Sequence, residues 1–118
     1  MGERFNKLVA DAKGRIEEVT AAEAQQRQQQ GAVLIDVREA EEFGREHAEG
    51  AVGVSRGVLE LKIEQLVPDT STPIVCYCGG GSRSALAADN LTKMGYTNVA
   101  SLTGGYKAWQ VSGLPTES

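Results

Sequence analysis

No apolar run in this chain reaches the roughly 20 residues needed to cross a bilayer, so no membrane partner is expected. The amino terminus, Met1-Gly2-Glu3-Arg4-Phe5, lacks the basic-then-apolar pattern of a secretory leader, and a cytoplasmic location is the default expectation. Basic charge is not in excess: 12 Lys and Arg stand against 16 Asp and Glu, a net charge of -4. That balance argues against nucleic acid or an anionic membrane as partner, yet it leaves room for a local basic pocket that binds a small anion. Histidine occurs once, at His47, and cysteine twice, at Cys76 and Cys78. This set lacks the spacing of a zinc finger, so no metal and no other cofactor is expected. A disulfide between such near neighbours would be strained, which points to free thiols in a reducing compartment. Linkers and internal repeats are also missing, and 118 residues suit one compact domain.

What is present alternates between short apolar runs and helical patterns. Phe5, Leu8, Val9 and Ala12 recur at helical spacing, and Gly14 is placed to end that helix. Ile16 to Val19 reads as a short strand. Thr20-Ala21-Ala22-Glu23 has the form of a capping box, opening a glutamine-rich helix closed by Gly31. The glutamines read as a solvated helix face. Ala32 to Ile35 and Ile74 to Tyr77 are continuous apolar strands, and Val52 to Val54 and Asn98 to Leu102 are shorter candidates. Helical patterns cover Glu39 to Arg45, Val58 to Leu66, Ser84 to Met94 and Tyr106 to Val111. Gly95 and Gly113 follow the last two, where left-handed caps are expected. Strands alternating with helices predict an α/β fold, a mostly parallel sheet covered on both faces. The tail after Pro115 is expected to fray.

The chemistry concentrates in Cys78-Gly79-Gly80-Gly81-Ser82-Arg83-Ser84, between an apolar strand and a helix. Ligands of open α/β sheets bind beyond the carboxyl ends of the strands, where a nucleophile is useful. Successive glycines let the backbone curl and aim several N–H groups at one centre, and the following helix adds its positive end. Such surroundings favour the thiolate and lower the cysteine pKa from its ordinary value of about 8.5. They also suit the anionic end of a donor such as thiosulfate, whose outer sulfur the thiolate would take up as a persulfide.

The loop resembles the active-site loop of the rhodanese family, cysteine–x–x–glycine–x–arginine–serine/threonine, at Cys78, Gly81, Arg83 and Ser84. Ile35-Asp36-Val37-Arg38 with Glu42-Phe43 is similar to that family's first signature. His47-Ala48-Glu49-Gly50-Ala51 is similar to its second. Leu102-Thr103-Gly104-Gly105-Tyr106 with Trp109 and Gly113-Leu114-Pro115 is similar to its C-terminal end. The resemblance implies a rhodanese-like domain over residues 16–115, a five-stranded mainly parallel sheet flanked by helices. Residues 1–15 form a helical extension and 116–118 a tail. It implies Cys78 as persulfide carrier and the amides of Gly79, Gly80, Gly81, Ser82, Arg83 and Ser84 as a cradle. The implied partners are a small sulfane-sulfur donor and a thiol acceptor. Glu46 and Ala48 depart from the family's usual glycine and isoleucine. Four residues separate Cys78 from Arg83, one fewer than in dual-specificity phosphatases of related fold, which favours a target smaller than phosphate.

Several residues have supporting roles to test. Asp36 caps a helix or pairs with an arginine. Arg38 and Arg56 either lend charge to the pocket or sit solvated. His47 corresponds to a family histidine that orders the loop. Cys76, two residues before Cys78 on one strand face, is expected to be packed and inert. Trp109 is expected in the core, and Glu39, Glu41 and Glu42 at an exposed helix start. Two functional classes fit the loop: a sulfurtransferase enzyme, or a non-enzymatic sulfur carrier or regulatory binding module. Turnover on small donors, set against transfer to proteins, separates them. A phosphatase is disfavoured by loop length.

Overall fold

The computed structural model describes residues 2–118. Five parallel strands form the main sheet in the order β1-β6-β5-β2-β4: β1 (Glu17–Val19), β2 (Val33–Asp36), β4 (Val52–Gly53), β5 (Ile74–Tyr77) and β6 (Val99–Leu102). β5, which leads into the cysteine loop, is central, with β2 and β6 on its two sides. Its apolar run is explained by burial on both faces, as parallel sheets require.

Alternation along the strands sorts side chains between two cores. Ile35, Ile74, Cys76 and Cys78 face α4 (Leu59–Leu66) and α5 (Ser82–Lys93), where they meet Leu59, Ile63, Ala87, Ala88 and Leu91. Leu34, Val75, Tyr77, Ala100 and Leu102 face α2 (Ala21–Gln29) and α6 (Gly105–Val111), meeting Ala24, Tyr106 and Trp109. α2 contributes the small Ala21 and Ala24 to the core and α5 contributes Ala85, Ala87 and Ala88, whereas α6 contributes the large Tyr106 and Trp109. The short α3 (Ala40–Arg45) sits over Gly53, with its Phe43 ring 2.9 Å from where a Cβ on that glycine would stand.

The capping box at Thr20 forms in full: Thr20 Oγ1 accepts the Glu23 N–H at 3.2 Å, and Glu23 accepts the Thr20 N–H at 2.8 Å. α1 (Glu3–Lys13) buries Val9 and Ala12 against the outer side of α5, but Leu8 stays 55% exposed. Arg15, just past α1, forks onto Asp89 of α5 at 2.8 and 3.1 Å and fixes the extension there. Gly14 ends α1 in a right-handed conformation (φ -69°), whereas Gly95 and Gly113 take the expected left-handed one.

The C-terminal tail departs from expectation. Thr116–Glu117 form β7, which pairs antiparallel with β3 (His47–Ala48) in a second, two-stranded sheet. The Glu117 carboxylate accepts the Gly50 N–H at 3.0 Å and lies 3.2 Å from His47 Nε2. Local polarity at the chain end suggested fraying, but partners far away in sequence hold it.

Candidate active site

Cys78 leaves the carboxyl end of β5 with its side chain turned toward α5 and only 1% exposed. The loop closes around its sulfur. Sγ accepts the Gly81 N–H at 3.1 Å and the Ser84 N–H at 3.4 Å, and Ser84 Oγ stands 3.6 Å away. Ser84 lies in the first turn of α5, whose amides have no partner inside the helix. The sulfur therefore receives what the helix leaves unpaired. Gly81 makes the turn possible at φ +105°, a left-handed conformation that side chains disfavour.

The carbonyls of the loop are drawn the other way. Cys78 O accepts the Tyr106 N–H at 2.7 Å and Gly79 O accepts the Lys107 N–H at 3.3 Å, both from the first turn of α6. With carbonyls anchored on α6, the amides face inward. The Ser82 and Arg83 N–H groups have no acceptor among the described residues and remain available to an anion. Of the six amides expected in the cradle, Gly81 and Ser84 thus bond the sulfur directly and Gly80 acts on it from nearby.

Two opposing effects set the acidity of Cys78. Burial pushes its pKa up; the Ser84 hydroxyl and the amides of Ser84, Gly81 and Gly80 push it down and prevail, leaving it below the ordinary thiol value. Two residues earlier on the same face, Cys76 is fully buried, and burial raises its pKa to about 12. Both cysteines are free thiols, one with surroundings that favour its ionisation and one whose burial opposes it.

Arg83 sits at the mouth. Nη1 donates to Glu42 Oε1 at 3.2 Å, and Nη2 lies 3.4 Å from where a Cβ on Gly79 would stand. Burial lowers its pKa, but the Glu42 carboxylate and the Cys78 sulfur together outweigh this and hold it above the ordinary guanidinium value. Glu42 also closes a capping box with Glu39, so one carboxylate both starts α3 and holds the arginine over the loop.

The remaining expected residues are built into the surroundings and make no hydrogen bond to residues 78–84. Asp36, fully buried, accepts the Arg38 backbone N–H at 2.9 Å and the Arg38 guanidinium at 2.8 to 3.1 Å. Arg38 also donates to Glu46 O at 2.7 Å and lies 4.3 Å from the Tyr106 ring centroid. Its charge is matched by Asp36 rather than lent to the loop. Arg56 pairs with Glu60 at 2.9 Å. His47, mostly buried, donates from Nδ1 to Phe43 O at 2.9 Å and stacks on the Phe43 ring, tying the end of α3 to the C-terminal strand. Glu46, where a glycine was usual, accepts from Tyr106 Oη and, at 3.1 Å, from Gln110, adding a tie between this segment and α6.

Two contributors escaped the sequence reading. Gly105 sits at φ +57°, and a Cβ there would overlap Cys78 O and stand 2.7 Å from the Gly79 backbone. Ser101 on β6, fully buried, places its hydroxyl 2.8 Å from Ser84 Oγ. A hydroxyl inside the otherwise apolar strand Val99–Leu102 was the available signal.

A buried cysteine stands at the carboxyl end of a central parallel strand, its sulfur met by amides at a helix start, in an α/β fold. The model of the rhodanese-like domain matches residues 20–112. The chain is 35% identical over 101 residues to the thiosulfate sulfurtransferase GlpE of Haemophilus influenzae, spanning 86% of this chain and 94% of that one. A solved structure of a protein of unknown function from Rhodopseudomonas palustris, described as a possible tyrosine phosphatase, superposes with a TM-score of 0.87 at 31% identity, over 96% of this chain and 93% of its own. A thiosulfate sulfurtransferase from Pseudomonas aeruginosa superposes with a TM-score of 0.84 at 28% identity, over 96% of this chain and 22% of that longer one. The chain belongs to the rhodanese-like domain family. It is an enzyme of the sulfurtransferase type that this family contains.

Proposed function

We propose that this protein moves a sulfane sulfur from thiosulfate, or from a persulfide donor, to a thiol acceptor through a persulfide on Cys78. The observation that carries the reading is the set of main-chain donors on Sγ, from Gly81 and Ser84, in a loop whose Ser82 and Arg83 amides remain unpaired. The Cys78 thiolate attacks the outer sulfur of thiosulfate. A new S–S bond forms to Sγ, the S–S bond of thiosulfate breaks, and sulfite departs with the electron pair. An acceptor thiolate then attacks the same outer sulfur, and the pair of the breaking bond returns to Sγ. No separate general base is required, because the loop already favours the thiolate. Free amides and the Arg83 guanidinium suit the sulfonate end of the donor and the charge on the outer sulfur.

Mass spectrometry after thiosulfate treatment tests this. One added sulfur is expected on Cys78 and none in Cys78→Ser; no adduct from any sulfane donor would overturn the reading. Steady-state turnover with thiosulfate and cyanide, compared with transfer to cell-extract proteins, separates turnover on small donors from delivery of sulfur to a protein partner. Turnover of an aryl phosphate, lost in Cys78→Ser, would instead indicate a phosphatase.

A further inference from the structure

The geometry points to Ser101 as a positioning residue for Cys78: its hydroxyl keeps the Ser84 O–H aimed at the sulfur and so eases departure of the Cys78 thiolate when the carried sulfur is handed on. This inference rests on the sulfur-carrying role proposed for Cys78.

Ser101 Oγ and Ser84 Oγ are 2.8 Å apart, and Ser84 Oγ is 3.6 Å from Sγ. All three residues are buried, with Ser84 and Ser101 fully so. Among the described residues the Ser101 hydroxyl has one partner, Ser84. Ser84 has one hydroxyl hydrogen to give. When Sγ is an anion, every hydrogen is used in one direction: Ser101 O–H donates to Ser84 Oγ, and Ser84 O–H donates to Sγ. A hydroxyl that accepts a hydrogen bond is a better donor, so Ser101 strengthens the bond on sulfur. It also removes a competitor. A helical serine hydroxyl readily turns back to a carbonyl one turn earlier, and a partner on the oxygen opposes that rotation.

The two half-reactions do not use this chain equally. In the persulfide the negative charge lies on the outer sulfur, and Sγ is bonded on both sides. In the second step the acceptor thiolate forms a bond to the outer sulfur, the bond from Sγ to that sulfur breaks, and the electron pair returns to Sγ. Ser84 thus meets its anion as the sulfur leaves. A thiolate of lower pKa is a better leaving group and a slightly weaker nucleophile. The hydroxyl chain accordingly favours unloading over loading.

Ser101→Ala deletes one buried oxygen, and Ser101→Cys keeps the shape with a weaker donor, so it carries the test if the alanine variant fails to fold. Three quantities are read: the pH dependence of alkylation of Cys78, sulfite release during loading by thiosulfate, and persulfide loss to a small thiol, the last two above the Cys78 pKa. In Ser101→Ala the thiolate fraction well below that pKa should fall about threefold. Unloading should slow about twofold while loading holds or quickens. Ser101→Cys should shift less in the same direction, and Ser101→Ala should add nothing in a Ser84→Ala background. Unchanged alkylation and unloading in folded variants, or equal slowing of both half-reactions, would overturn the inference. If wild type takes up no sulfur while its thiol pKa still depends on Ser101, the sulfur-carrying reading is what fails.

Discussion

The backbone N–H of Tyr106 meets the carbonyl of Cys78 at 2.7 Å, so Cys78 is held by its main chain from a residue 28 positions away. That bond and its neighbour from Lys107 to Gly79 turn the first carbonyls of the loop toward α6. The C=O and N–H of a trans peptide point opposite ways in one plane, so holding the Cys78 and Gly79 carbonyls on α6 also fixes the N–H groups of Gly79 and Gly80.

Gly105 is the residue that permits this approach. Gly105→Ala should cost about 2–3 kcal/mol, from the left-handed backbone and from a Cβ forced against the loop. Urea unfolding measures the cost. Sulfur transfer should fall further than stability alone requires, because the displaced atoms belong to Cys78 and Gly79.

Thiol titration should find one reactive cysteine in the native protein. Iodoacetamide should label Cys78 with a midpoint below the ordinary value of about 8.5, and leave Cys76, pushed up to about 12, untouched until unfolding. The sign for stability follows. A folded pKa below the unfolded one makes ionised Cys78 stabilising above the unfolded pKa, with that contribution lost as pH falls through the folded pKa. The stability gap between wild type and Cys78→Ala should therefore widen from acidic pH toward pH about 9.

Arg83→Ala should weaken activity less than loss of Cys78. Its guanidinium is shared with Glu42, and the amides remain. About tenfold lower kcat/KM for thiosulfate is expected, mostly through KM, as befits loss of one charge-assisted contact. An Arg83 variant as inactive as Cys78→Ser would contradict this.

Removing residues 116–118 should lower the melting temperature. The deletion unpairs β3 and takes the Glu117 carboxylate from Gly50 and His47. Circular dichroism on heating checks it, and an unchanged melting temperature would show that β7 adds no stability. The reactivity of Cys78 toward iodoacetamide should survive, since no hydrogen bond joins His47 to residues 78–84.

Much of the fold was legible because its causes are local. Period-two alternation along Ile74 to Cys78 placed Cys76 and Cys78 on one face, and the Thr20 capping box opened α2 where hydroxyl and carboxylate were spaced for it. Leu8 shows the limit: helical spacing put it with Val9 and Ala12, but the surface of α5 covers only part of that stripe.

The sequence by itself determined the candidate nucleophile and its loop, because glycines, a helix start and a cysteine at a strand end are written within seven consecutive residues. Tertiary structure alone decided which atoms hold that loop. Ser101, Gly105, Tyr106 and Glu42 are distant in sequence, and strand order and helix packing bring them there. It also decided that Arg38 is neutralised by Asp36 and that the tail becomes a strand. Charge and polarity can be read along a chain, but the partner that satisfies each group is fixed only when the chain closes on itself.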